Sequence, residues 1–387
     1  MKLPIDLKAV IEAATDIESA RNTPVSVSVL IDDSAPGDVA AHVRSAFVGA
    51  GAHARVTVGY FVGPAFSPYE GDDMAVIVAG FSEEVGRRAA EIRAAGVPVM
   101  VVTSVPRLVA DMASAYGNPI PEGDLVAPEG VEGCEADGDA ACTSGEVAGA
   151  HVGVLAGIRA AKSAGTGAAA GSSGAAASSP DVSDAPIPID AAAAAALDRR
   201  MGEWVVAACR EKRLALALSF PFVRRPLSLE AVSATSLQNA GIGLVLFIPG
   251  ADMPLMTLNQ AKMLLQIAAA YGEPMSAARA KELAAIVGGA FACRSVARQV
   301  AGAVPAIGWA VKAGVGYAGT KAMGLAAVEY FERGGSIAGL AGVVSTATAK
   351  ATQIAGDVAA TPAGARVLST VKTAVRQGAA SILKKTE

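Results

Sequence analysis

The chain of 387 residues is long enough for two domains with a core each, and it is unusually apolar, with 52% hydrophobic and 18% charged residues. Aromatic residues make up only 4%, so the apolar character comes from Ala, Val and Gly, which favour close helix packing in a soluble core or in a membrane. A net charge of −4 argues against a general nucleic-acid-binding protein, which would carry a basic surface.

The first 130 residues predict an α/β domain with a Rossmann-like, mostly parallel sheet. Residues 5–22 have the apolar spacing of an amphipathic helix. Because this segment carries acidic residues and no apolar core, it does not resemble a secretory signal, and we expect the protein on the cytoplasmic side. Strands are predicted at about 25–31, 55–61, 74–79 and 97–103, and helices at 38–49 and 82–95, and the domain is expected to close near 125–126.

Residues 131–190 form the predicted boundary between two domains. An acidic, Gly-rich loop is expected first, then a helix over 147–163, and then a flexible tether over 165–190 that buries too little apolar surface to become ordered. The pattern that follows predicts an all-α domain over 191–335 and amphipathic helices over 336–387. The predicted helices are 191–219, 228–247, 255–271, 276–302, 306–332 and 337–386, with turns at Pro221, Pro249, Gly272, Pro305 and Gly334.

The loop after the first strand lacks the residues of a phosphate-binding loop. Such a loop reads G-x-x-x-x-G-K-[ST], and its backbone amides and lysine hold the anion. Here Asp32 stands at the first glycine position, Asp38 follows Gly37 in place of the lysine, and Val39 replaces the hydroxyl residue. The strand at 97–103 is followed by no Asn-Lys-x-Asp. These features argue against GTP hydrolysis and favour Asp38 as an N-terminal helix residue stabilised by the helix dipole.

Histidines, cysteines and adjacent carboxylates show no catalytic or metal-binding spacing. No histidine has a Cys, Asp or second His at ligand spacing, and no two cysteines form C-x-x-C. Adjacent carboxylates are expected in loops or on a solvated helix, without a cleft partner for acid–base catalysis. The residues considered are His42, His53, His151, Cys134, Cys142, Cys209, Cys293, Asp32, Asp33, Asp72, Asp73, Glu83 and Glu84. We therefore expect no catalytic residue, no cofactor and no metal.

Three segments of the helical half, 238–272, 291–314 and 316–335, carry an unusual set of residues. The set is Asn239, Pro249, Asp252, Pro254, Gln260, Tyr271, Gly272, Arg294, Arg298, Pro305, Trp309, Tyr317, Thr320 and Gly324. In order and spacing it resembles the bacterial family called domain of unknown function 697, over about 200–335. The resemblance implies membrane association, and it implies that residues 1–130 are a degenerate relative of the Era-like or dynamin-like GTPase domains found in front of this family. It implies no catalytic residue.

Asp252 and the pair Arg294 and Arg298 each have two possible roles. Asp252, which lies between two prolines, is either a polar anchor at a helix break or the N-cap of the next helix. Arg294 and Arg298 are four residues apart on one helix face. They pair either with an internal carboxylate, Asp252 or Glu282, or with lipid phosphates.

The apolar runs of the helical half are short for a membrane protein. A spanning helix needs about 20 apolar residues, whereas the unbroken runs are 240–251, 283–293 and 300–311. Runs of this length fit buried core helices or shallow re-entrant segments. The basic amphipathic tail over 363–386 either lies on anionic lipid or packs on its own domain.

Three hypotheses follow for the function. The first is a non-catalytic, membrane-associated scaffold or regulatory protein, peripheral or integral, whose partner is membrane lipid or a membrane protein and which can form homo-oligomers. The second is a nucleotide-binding switch with a degenerate phosphate site in residues 1–130. The third is a soluble helical protein-interaction module. None of the three involves nucleic acid.

Overall fold

Five apolar segments form one parallel sheet in the computed structural model of the protein, which describes residues 6–61, 71–128, 187–245, 252–286 and 308–346. The strands are β1 (Val25–Ile31), β2 (Ala54–Tyr60), β3 (Met74–Val78), β4 (Val99–Val102) and β5 (Leu125–Val126). They lie in the order β2-β1-β3-β4-β5, and every neighbouring pair is parallel. The four predicted strands are confirmed, with small differences at their ends.

Helices cover both faces of the sheet, as its continuous apolar strands require. Strands β3 and β4 are buried along their whole length. Helix α2 (Gly37–Val48) packs on one face, and α3 (Glu84–Ala94) packs on the other face together with α4 (Pro106–Ala115). The sequence analysis predicted α2 and α3.

Helix α4 has no counterpart among the predicted elements. The helix begins at Pro106, because a proline has a suitable φ and lacks the N–H that would be unpaired at the first helical position. It buries Val109 and Ala113, four residues apart, against the sheet. Two buried positions are too few to set a recognisable helical period.

The described residues from 187 onward are mainly helical. The helices are α5 (Ala191–Ala208), α6 (Arg213–Ser219), α7 (Pro221–Val245), α8 (Asp252–Ala270), α9 (277–286), α10 (Gly308–Glu332) and α11 (340–346). A single helix was predicted for 191–219, and this is wrong: the chain turns after Cys209, where Lys212 pairs with Asp73 at 2.7 Å. The predicted break at Pro221 is confirmed, because Phe220 separates α6 from α7, but α7 begins at this proline and not at 228 as predicted.

Helices α5 to α7 share a hydrophobic core with the sheet and α2. Met201 of α5 and Phe220, which precedes α7, are buried in the same cluster as Val27 of β1. The rings of Phe220 and Phe47 of α2 have centroids 5.0 Å apart. All described residues accordingly fall in one compact unit. The division into two domains stays a prediction.

Helix α1 (Leu7–Arg21) packs with the later helices and not with the sheet. Asp6 caps it by accepting two backbone N–H groups of its first turn. Its buried side chains are Val10, Ala14 and Ile17, which join the cluster formed by α8, α9 and α10. At its other end Arg21 donates to the carbonyl groups of Gly272 and Glu273, just after α8.

Helices α7, α8 and α10 pack side by side, with α7 antiparallel to the other two. Asn239, toward the end of α7, donates to the carbonyl of Met256 near the start of α8 and to the hydroxyl of Thr320 in α10. Arg225, near the start of α7, pairs at 2.5 Å with Glu332 at the end of α10. The end of α7 and the starts of α8 and α10 therefore point toward the same end of this layer.

Candidate functional site

Asp32 is buried at the carboxyl edge of the sheet, directly after β1, where the strand order reverses between β1 and β3. Ligands of doubly wound sheets bind in this crevice, and phosphates are held there by loop N–H groups. Here the Asp32 carboxylate accepts the backbone N–H groups of Gly80 (2.9 Å) and Ser82 (3.2 Å), in the loop after β3. It also accepts the N–H (3.1 Å) and the hydroxyl (2.9 Å) of Ser34. The chain's own carboxylate takes the hydrogen bonds that a bound anion would need.

The two loops at this crevice touch each other. A Cβ at Gly80 would lie 2.2 Å from the carbonyl carbon of Ser34 and 2.4 Å from the nitrogen of Ala35, so only glycine fits. Asp38 lies in the first turn of α2, as predicted, and accepts the N–H of Ile189 at 3.2 Å. The two loops are thus in direct contact beside Asp32, and the N-terminus of α2 carries a carboxylate.

A network of paired charges holds the opposite, amino edge of the sheet. Asp72 has a fully buried side chain, accepts the hydroxyl of Ser26 at 2.6 Å and pairs with Arg55 at 2.8 Å. Asp73 accepts the N–H of Ser26 at 2.9 Å and pairs with Lys212. Both carboxylates lie in a loop, as expected, and β1, β2 and the turn after α5 supply partners for them that are distant in sequence. Such an edge stabilises the fold, and its two carboxylates are held by Arg55 and Lys212.

Three residues of the family-like set meet in the layer of α7, α8 and α10. Asn239, Gln260 and Thr320 are all buried. The Thr320 hydroxyl oxygen accepts an amide N–H from Asn239 at 3.0 Å and one from Gln260 at 2.8 Å. Asn259 donates to the carbonyl oxygen of the Asn239 side chain at 3.0 Å. We call Asn239, Gln260 and Thr320 the amide–threonine cluster; it joins all three helices and faces no solvent.

Other members of the set also serve packing. Gly324 lets α10 approach α7, since a Cβ there would lie 2.4 Å from a methyl group of Val232. Gly272 ends α8 with a φ of 94°, which favours glycine. Tyr271 stacks on Phe331 with ring centroids 6.0 Å apart, and burial, aided by the carboxylate of Glu332, raises the pKa of its hydroxyl.

The remaining members are spread out or lie outside the described residues. Helix α8 begins at Asp252, two residues before Pro254. Trp309 lies in the first turn of α10, and Lys321 lies over the ring of Tyr317 at 5.5 Å. Pro249, Arg294, Arg298 and Pro305 lie outside the described residues, as do Cys134, Cys142, His151 and Cys293 and the predicted elements at 147–163 and 363–386.

A cleft of about 350 Å³ opens between α6, α7 and α8. Its lining combines polar and apolar side chains: Arg213, Leu214, Leu227, Ser228, Glu230, Ala231, Ala234, Thr235, Gln238, Asn259, Lys262, Met263 and Gln266. None of these residues is a predicted site residue. They are ordinary helix residues, and no motif in the sequence marks them.

Three histidine and cysteine side chains lie in the described residues. His42 and Cys209 have structural surroundings, whereas His53 is exposed at the amino edge of the sheet, in the lining of a cleft that also includes Asp73 and Lys212. His42 on α2 lies 2.8 Å from Asp198 on α5, and this contact joins two helices of the sheet's core. Burial, aided by the carboxylate of Asp73, raises the pKa of the Cys209 thiol to about 12, so the thiol stays protonated at neutral pH. Among the described residues, no three His, Cys, Asp or Glu side chains are grouped to hold a metal ion.

The described residues thus define an α/β protein with a five-stranded parallel sheet and a helical layer. In the described ranges, no helix combines the length and the apolarity needed to cross a membrane. Comparison of the chain with family models, curated proteins and solved structures finds no match. The resemblance of residues 200–335 to a family therefore stays a prediction.

Proposed function

We propose that the protein is a non-catalytic scaffold that associates with a membrane surface through one end of its helical layer. The observation that carries the proposal is the convergence of helix ends: α7 ends at Val245 on the side where α8 begins at Asp252 and α10 begins at Gly308. The chain segments that connect to these ends, 246–251 and 287–307, are apolar, and their only charged residues are Arg294 and Arg298. Apolar segments with a few arginines suit an anionic lipid surface.

The sheet supports the non-catalytic half of the proposal. Its strand order and its two covered faces suggest a Rossmann-like ancestry, as the resemblance to a degenerate GTPase-like domain would imply. The position of the phosphate is taken by the carboxylate of Asp32. A bound polyphosphate would have to displace that carboxylate and overcome its charge, so a nucleotide switch is disfavoured.

Flotation of the purified full chain with lipid vesicles tests the membrane half. We expect the chain to float with phosphatidylcholine vesicles that contain phosphatidylserine, and less without phosphatidylserine. Phe247→Asp, in the connection before α8, should abolish flotation. Val48→Asp is the matched control, because Val48 is 67% exposed at the end of α2 and belongs to the other part of the fold.

Two results would overturn the proposal. If the wild-type chain stays at the bottom of the gradient with both vesicle types and is monodisperse without detergent, the protein is a soluble interaction module. If a fluorescent GTP or ATP analogue binds the chain with micromolar affinity, the sheet is a nucleotide site and the scaffold interpretation fails. A flat titration is the expected result.

A further inference from the structure

The cleft between α6, α7 and α8 contains a buried hydroxyl group without a hydrogen-bond partner. Ser228 is 1% exposed, and its Oγ has no partner among the described residues. A buried polar group left unpaired destabilises a protein, because it has lost its hydrogen bonds to water without replacement. Ser228 lines the cleft, but its Oγ is closed to solvent in this rotamer. Rotation of the side chain about χ1 would turn the hydroxyl into the cleft, where a ligand can supply the missing partner.

The charges around the cleft favour an anionic ligand. Lys262 of α8 is exposed, and none of the described carboxylates pairs with it. Arg213 holds both carboxylate oxygens of Glu230, at 2.9 and 2.8 Å, so these two charges cancel. One positive charge therefore remains. The amide groups of Gln238 and Gln266 add further N–H donors at the lining.

The rest of the lining suits a small apolar body. Leu227, Ala231 and Met263 are buried side chains of the wall. A volume of about 350 Å³ lies at the lower end of the range for sites that bind small molecules. The cleft therefore offers an apolar wall, and among the described residues its ammonium has no carboxylate partner and its hydroxyl has no hydrogen-bond partner.

We infer that this cleft binds a small organic carboxylate. The carboxylate pairs with the ammonium of Lys262, a polar atom of the ligand accepts the hydroxyl of Ser228, and the body of the ligand lies against Leu227 and Met263. The site is built from α6, α7 and α8 alone. It depends neither on the crevice at Asp32 nor on association with a membrane, so the proposed function can fail while this site stands.

Ligand-observed NMR titration of the full chain with benzoate and hexanoate tests the site, with benzamide and hexanamide as neutral counterparts. We expect both carboxylates to bind and both amides to bind about two- to fivefold more weakly, since an exposed ion pair contributes at most about that factor. Lys262→Gln should weaken benzoate binding about two- to fivefold and remove the preference over benzamide. Lys281→Gln is the matched control, because Lys281 is an exposed lysine on α9 away from the cleft.

Two further variants separate binding from folding. Ser228→Ala should weaken benzoate binding about fivefold, yet unfold at the same or a higher temperature, because it removes a buried unpaired hydroxyl. Ala234→Trp, at an exposed position of the lining, should fill the cleft and abolish binding. The inference is overturned if no probe shows saturation transfer, if benzamide binds as well as benzoate, or if Lys262→Gln and Lys281→Gln have the same effect.

Discussion

Replacing Asp32 with alanine should turn the crevice at the carboxyl edge of the sheet into an anion site. The substitution removes four hydrogen bonds to one carboxylate, from Ser34 (two), Gly80 and Ser82. A hydrogen bond to a charged group is worth about 1.5–3 kcal/mol, and water can replace those at the exposed loop positions only in part. We expect the free energy of unfolding to fall by about 3–5 kcal/mol, mostly through the buried N–H of Gly80.

Phosphate should restore part of this loss in the variant and not in the wild type. The N–H groups freed by Asp32→Ala lie beside the N-terminus of α2, a geometry that binds anions. A ligand at ten times its Kd stabilises the folded state by about 1.4 kcal/mol. In the wild type the carboxylate occupies the site, so phosphate should act there no more strongly than chloride at the same ionic strength.

Urea unfolding followed by tryptophan fluorescence measures both effects, since Trp204 of α5 is 7% exposed in the core shared with the sheet. Asp111→Ala is the control, because Asp111 is an exposed carboxylate on α4; it should change stability by less than about 0.5 kcal/mol. Equal stabilisation of the wild type and Asp32→Ala by phosphate would refute the idea that Asp32 occupies an anion site. A loss no larger than that of Asp111→Ala would show that its hydrogen bonds do not stabilise the fold.

Three further predictions concern the helices. Gly324→Ala should destabilise the chain by about 1–3 kcal/mol in the same urea assay, because the new Cβ meets Val232. Gly319→Ala, with no atom within 4 Å of the new Cβ, should instead stabilise the chain by up to about 1 kcal/mol. Equal effects of the two substitutions would contradict the close contact between α10 and α7. Thr320→Val should lower the free energy of unfolding by about 1–3 kcal/mol, and Thr320→Ser should lower it much less, since serine keeps the accepting oxygen. Similar losses for both variants would indicate that the methyl group of Thr320 contributes more to stability than its hydroxyl group. The pKa of Cys209 is raised to about 12 in the folded chain. Above pH 9 the thiol ionises first in the unfolded chain, so the free energy of unfolding should fall by about 1.4 kcal/mol per pH unit. Urea unfolding at pH 8 to 10 should show a smaller fall with pH for Cys209→Ala than for the wild type.

The strands were predictable because each buried strand is an apolar run bounded by turn residues. The run MAVIV of β3 is buried at every position, and the pattern leaves no alternative element of that length. The order of the strands was not predictable, since nothing in the sequence says that β3 pairs with β1 and leaves β2 at the edge. Burial of Asp72 escaped prediction for the same reason, because Arg55 and Ser26 reach it only after β1 and β2 have paired.

The spacing of the family-like set identifies unusual residues, but it does not say which of them are in contact. The spacing singled out Asn239, Gln260 and Thr320, yet these lie in three helices, and their contact depends on how the helices pack. No sequence motif indicates the cleft between α6, α7 and α8. Ser228 and Lys262 are unremarkable residues on two helices, and only the packing of α7 against α8 brings them to one cavity.

The buried polar groups fall into two classes, those that are hydrogen-bonded within the chain and those without a described partner. The carboxylates of Asp32 and Asp72 and the amide–threonine cluster are hydrogen-bonded within the chain. A satisfied buried group needs no ligand, and its role is to fix loops and helices in place. The hydroxyl of Ser228 has no described partner and borders a cavity. Because leaving this hydroxyl unpaired opposes folding, its place in the lining favours a ligand in this cleft, as does a lysine that has no carboxylate partner among the described residues.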